Sequence, residues 1–139
     1  MIRSVLAVLA GIVVLTIVSF AIEAVASPLT LRIFPDALQS GAPLSHTLPE
    51  RLFMMAYTML SVAAGGYVTA WIARRSRMSH AAIMGAIEVA LTVYAMIELP
   101  HQAPLWFWIA GMILTVPAAC LGAAIRVKQS VRRTPARVS

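Results

Sequence analysis

Four stretches of this chain carry enough consecutive apolar residues to cross a lipid bilayer, and that feature decides what it can fold into. Their cores run over 5–22, 52–73, 81–97 and 105–125, each close to the about 20 residues that a helix needs to cross about 30 Å of hydrocarbon. Glu88 is the one charge inside them. Lipid offers a backbone no water to bond to, so each crossing has to be a helix that satisfies its own amides. The predicted fold is therefore all-α: four transmembrane helices over about 5–26, 48–73, 80–98 and 105–125, gathered as one bundle in residues 1–126. A loop at 27–47 and a basic, disordered tail at 127–139 complete it. Of 139 residues 60% are apolar and 12% charged, where a soluble domain carries about a quarter charged, and the joints leave no room for a separate soluble domain.

A formal charge of +6 would suit nucleic acid if the cations were spread over one surface, but they are segregated along the chain. Arg3, then Arg74, Arg75 and Arg77, then Arg126, Lys128, Arg132, Arg133 and Arg137 place nine on one side of the membrane, against Arg32 and Arg51 on the other. The positive-inside rule then puts both termini in the cytoplasm of a bacterial inner membrane and the 27–47 loop in the periplasm. Glu23, Asp36, Glu50 and Glu98 all fall on the side opposite the cations. The expected partners are the bilayer itself and anionic headgroups at the tail, each nearby cation contributing about 1 kcal/mol; no nucleic acid is expected. Cys120, alone and inside the fourth span, excludes an internal disulfide and any CxxC redox pair.

Ala24-Val25-Ala26 before Ser27 also has the form of a signal-peptidase site. The apolar run ahead of it, 5–22, outlasts the about 7–15 residues of a signal h-region, so a retained anchor is expected; cleavage would leave three spans in the same orientation. Thr47-Leu48-Pro49-Glu50 fits a capping box and starts the second helix near Leu48. Pro100 and Pro104 separate the third helix from the fourth, whose Trp106, Phe107 and Trp108 suit the membrane–water interface.

Small residues four apart recur in every span: Ala7 and Gly11, Ser61 and Gly65, Gly66 and Ala70, Ala81 and Gly85, Ala118 and Gly122. Because lipid gives helices no hydrophobic reason to associate, these are the surfaces expected to meet. The run Ala64-Gly65-Gly66-Tyr67-Val68-Thr69-Ala70-Trp71-Ile72-Ala73, with His80, Pro117 and Gly122, resembles a pattern of small, uncharacterised four-helix bacterial inner-membrane proteins over roughly residues 52–125. The resemblance implies a fold and a membrane address without a reaction, and it assigns no functional residue.

Glu88 lies about 10–14 Å from either end of its span, at the bilayer centre, where a charge costs about 3 kcal/mol or more. Ala81, Gly85, Glu88, Thr92 and Ala95 share one helix face, which is expected to turn inward. Thr16, Ser61 and Thr115 lie at similar depth, and Pro117 frees the carbonyl of Ile113 as an acceptor. Two roles stay open: a neutral acid that hydrogen-bonds the bundle together, or a proton or cation relay through Glu88, Thr92, Thr115, Ser61 and Thr16. At the outer rim His46, Glu50, Glu98 and His101 are weak metal candidates, weighed against ordinary headgroup-level polarity because Pro100 interrupts the Glu98–His101 spacing. Met54, Met55, Met59 and Met96 could offer thioethers to copper, but they read as apolar packing.

No nucleophile, base and orienting group share one depth, so no enzyme activity and no cofactor are expected. The expected role is structural or accessory, alone, as a homo-oligomer or beside a larger membrane complex. The alternative is a small proton-coupled exporter with Glu88 as its midplane carboxylate. In size and span number the chain is similar to the small multidrug transporters, whose essential acid lies in the first helix; here that helix holds only the peripheral Glu23. The charge asymmetry makes a direct prediction: reporters fused at Arg77 and after Ser139 read cytoplasmic, and one near Ser40 reads periplasmic. A periplasmic signal after Ser139 would overturn four crossings.

Overall fold

The computed structural model describes residues 2–33, 48–73, 76–99 and 102–132. It is all-helical, with α1 over Ile2–Ile33, α2 over Leu48–Ile72, α3 over Arg77–Glu98 and α4 over Leu105–Arg132. All four are long and apolar enough to cross a membrane, by length and composition, over Ser4–Ala26, Leu48–Ile72, Arg77–Glu98 and Leu105–Val131. Among the described residues there is no strand.

The helix ends differ from expectation in physically readable ways. α2 begins at Leu48, the start read from the capping-box pattern, although Thr47 itself lies outside the described residues. α1 does not stop at 26 before a loop at 27; it continues through Pro28 to Ile33. A helical proline removes one hydrogen bond, here to the carbonyl of Ala24, and near a membrane surface water can take its place. α4 likewise runs past the expected boundary at 126 as far as Arg132, so the first part of the predicted disordered tail is helix. Lys128, Gln129 and Arg132 are good helix formers, and contacts from two other helices hold this turn. Between α2 and α3 the chain turns at Ser76, which adopts the left-handed conformation at φ 50°.

α2 is the central element, packed extensively on both α1 and α4. α3 lies mainly against α4, with smaller contacts on α2 and α1, and α1 and α4 do not touch among the described residues. All ten small residues read as packing surfaces are buried. The structure adds their pairing. Adjacent glycines on α2 point to different neighbours: a Cβ on Gly65 would stand 2.8 Å from the carbonyl oxygen of Gly11 on α1, whereas one on Gly66 would stand 2.8 Å from the Cα of Ala119 on α4 and closer still to its carbonyl oxygen. Gly122 of α4 returns the contact, where a Cβ would lie 2.7 Å from the carbonyl carbon of Ala63. Gly85 of α3 meets Val116 of α4 at 3.1 Å in the same sense.

The core follows from this closeness. Val8, Val62, Met84, Ala118 and Ala119 form one buried cluster, with Ile12, Leu15 and Met59 packed against it, and Ala70, Ala81 and Ala123 form a second. Large apolar side chains face outward instead, among them Phe20 at 70% exposure, Ile113 at 66% and Tyr94 at 63%. That inside-out distribution suits a chain whose solvent is hydrocarbon, in which small residues hold helices together and large ones meet lipid.

The glycine contacts give a contrast that unfolding in mild detergent measures. Gly66→Ala and Gly122→Ala each push a methyl into the backbone of the neighbouring helix and lower stability by about 2–3 kcal/mol. Gly111 has no atom within 4 Å of its would-be Cβ, so Gly111→Ala is neutral or stabilising by up to about 1 kcal/mol. Wild-type stability in Gly66→Ala would contradict the α2–α4 contact.

Candidate functional site

Glu88 stands one turn beyond Met84 and Gly85, the last buried positions of α3. Its residue is half-buried, and no described residue hydrogen-bonds its carboxyl. The hydroxyls at similar depth are directed elsewhere. Thr92 donates to the backbone carbonyl of Glu88 at 2.8 Å, Thr16 to that of Ile12 at 2.9 Å, Ser61 to that of Tyr57 at 3.0 Å and Thr115 to that of Gly111 at 2.8 Å. Each satisfies itself on its own helix, four residues back, as a hydroxyl in an apolar environment can always do.

Burial separates these residues further. Ser61 and Thr115 are in the core, Thr92 is half-buried, and Thr16 lies on the exposed side of α1. Ile113, whose carbonyl Pro117 cannot bond, is on the outward side of α4 with Pro117 itself. The structure therefore brings Glu88 and Thr92 together through a backbone contact and forms no side-chain chain through Thr115, Ser61 or Thr16.

The centre of the interior is a pair that the sequence reading passed over. Thr69 on α2 and Met84 on α3 are both fully buried. The Thr69 hydroxyl lies 3.0 Å from the carbonyl of Gly65 and 3.4 Å from the sulfur of Met84. That sulfur sits in the notch left by two glycines, 3.0 Å from where a Cβ on Gly11 would be and 3.3 Å from one on Gly65. A flexible thioether fills such irregular space well. Neither residue type announces this role, and only the crossing of α1 on α2 creates the notch.

At the end carrying the weak metal candidates, His46 and His101 lie outside the described residues. Glu50 is buried in the first turn of α2, Glu98 is exposed in the last turn of α3, and Glu23 is exposed on α1. Among the described residues no three His, Cys, Asp or Glu side chains gather. Toward the same end, Val18, Ile22, Val25 and Leu29 of α1 and Phe53 of α2 line a groove of about 410 Å³ whose lining side chains are all apolar.

Among the described residues the basic end holds a polar side-chain network. The Tyr67 hydroxyl donates to Oε1 of Gln129 at 2.8 Å, and the guanidinium of Arg126 lies 6.0 Å from the centre of the same tyrosine ring. Arg77, at the start of α3, donates from Nη1 to the Ser130 hydroxyl at 2.8 Å and from Nε to the carbonyl of Ala73 at 3.3 Å. Ser130 in turn donates to the carbonyl of Val127 at 2.7 Å. These contacts tie the last turns of α4 to α2 and α3. Reading 127–139 as a tail hid them, because Gln129 and Ser130 acquire partners only from other helices.

Helices of this length and apolarity define a multi-pass membrane chain. No family model, no curated protein and no solved structure matches it.

Proposed function

We propose that the chain is a four-helix bundle of the bacterial inner membrane with both termini cytoplasmic, and that it has a structural or accessory role, alone, as a homo-oligomer or beside a larger membrane complex, without enzymatic activity. The closure of its interior supports this most directly: helix backbones meet at Gly65, Gly66 and Gly122, Met84 fills the remaining notch, and the core hydroxyls are engaged on their own helices. Nine cations at one end against two at the other support the orientation. Resemblance to small four-helix inner-membrane proteins agrees with both.

One observation favours the second reading, a small proton-coupled exporter. Glu88 carries a carboxyl in mid-span with no hydrogen-bond donor from any described residue, and an intramembrane acid is a functional candidate by default. In that case Glu88 and Thr92 sit at the edge of the core, and a second copy or a substrate supplies the missing polar contact.

Glu88→Gln separates the two. It retains size and hydrogen-bonding capacity, so in the structural reading stability in detergent changes by no more than about 1 kcal/mol. Proteoliposomes carrying an internal pH dye then show no proton flux that depends on residue 88. A flux in the wild type that Glu88→Gln abolishes would sink the structural reading and install the exporter.

A further inference from the structure

The basic end concentrates positive charge on a surface for which the described residues provide no counter-ion. The acids of the described helices are far from it: Glu50 and Glu98 lie at the opposite ends of α2 and α3, Glu23 lies toward the opposite end of α1, and Glu88 is 11 residues, about 16 Å, along α3 from Arg77. Two arginines are nevertheless held in place there. Arg77 is fixed by Ser130 and by the Ala73 carbonyl, which occupies two of its nitrogens and leaves the rest of its donor fork available. Arg126 is laid over Tyr67, and its Nε is buried without an acceptor.

Both arginines are placed within one helical turn of Ser130. Arg126 and Ser130 are four apart on α4, hence on adjacent turns of one face, roughly 6 Å apart at Cβ. Arg77 is anchored on that same Ser130, and Tyr67 joins Arg126 to Gln129 beside it. The Nε of Arg126 is enclosed by the protein, which leaves its Nη donors, with the unused donors of Arg77, for an acceptor from outside. Oxygens of a phosphate are the acceptors that match two such forks geometrically. At this depth, near the end of spans embedded in lipid, the phosphate at hand is that of a headgroup.

We propose that Arg77 and Arg126, set by Ser130 and Tyr67, form a binding site for the phosphate of one anionic phospholipid, which clamps the basic ends of α2, α3 and α4 together. The site rests on the membrane-spanning reading but not on any role of Glu88. It also differs from diffuse attraction to the tail, because its cations have fixed partners. Lys128, exposed in the same turn of α4 but rotated away from Arg126 and Ser130, is the natural control for diffuse charge.

The test is native mass spectrometry of the full chain released from mild detergent with equal amounts of phosphatidylglycerol and phosphatidylcholine. One phosphatidylglycerol is retained in preference, and the double variant Arg77→Gln/Arg126→Gln lowers its retention by at least about tenfold, the scale of one charge-assisted hydrogen bond, while Lys128→Gln matches wild type. Arg77→Lys/Arg126→Lys keeps charge and fold but loses the planar fork, and weakens retention by about threefold or more. Equal retention of the two lipids by the wild type, or wild-type retention by the glutamine pair, would overturn the site. Thermal protection by inorganic phosphate equal to that by phosphatidylglycerol would overturn the lipid as its ligand. Carbonate-resistant insertion into liposomes is scored separately, so a chain that inserts but does not discriminate lipids refutes the site and leaves the membrane reading standing.

Discussion

Backbone-to-backbone contact at glycine is the constraint on which the rest of this structure depends. In water a helix pair is driven together by burying large apolar side chains; in lipid those side chains are as well solvated outside as inside. What remains is dispersion at short range, and it needs backbones close enough to touch. Gly65 toward α1 and Gly66 toward α4 let a single helix make two such approaches at one level, and Gly122 and Gly85 complete the contacts of α4 with α2 and α3. Once those distances are set, small residues fit best between the helices, and among the described residues the fully buried side chains are Ala, Ser and Thr, with Met84 between them and Glu50 in the first turn of α2.

The same closeness governs the chemistry. Ser61, Thr69 and Thr115, enclosed between helices, bond to the carbonyls of their own helices. Glu88 lies beyond Gly85, the last buried position of α3, and is itself half-buried. At the basic end the helices are held differently, by Arg77, Arg126 and Tyr67 reaching across α2, α3 and α4.

Much of the architecture could be read in advance. Apolar run length located four helices, and the four-residue spacing of small residues picked out Gly11, Gly66, Ala81 and Gly122 as buried. Which glycine meets which helix could not be read, since adjacent positions on α2 differ by about 100° in direction and the sequence does not say what lies on either side. The far ends of α1 and α4 were misjudged for a related reason. Pro28 is a stop signal in water but tolerable at a membrane surface, and the polar turn containing Gln129 and Ser130 looks like tail until Tyr67 and Arg77 come into contact with it. The hydroxyls near Glu88 share its depth but not its direction, and depth is all that spacing along a single helix conveys.

α2 and α4 touch at small residues, whereas among the described residues the backbones of α1 and α4 do not approach one another. With Cys120 replaced by alanine, Ala70→Cys on α2 and Ala123→Cys on α4 place two thiols within one fully buried cluster. Mild oxidation in native membranes should cross-link that pair nearly completely and leave Ile17→Cys with Leu121→Cys, both outward-facing on α1 and α4, uncoupled. A free 70–123 pair, or equal cross-linking of both pairs, would contradict the packing from which every other feature follows.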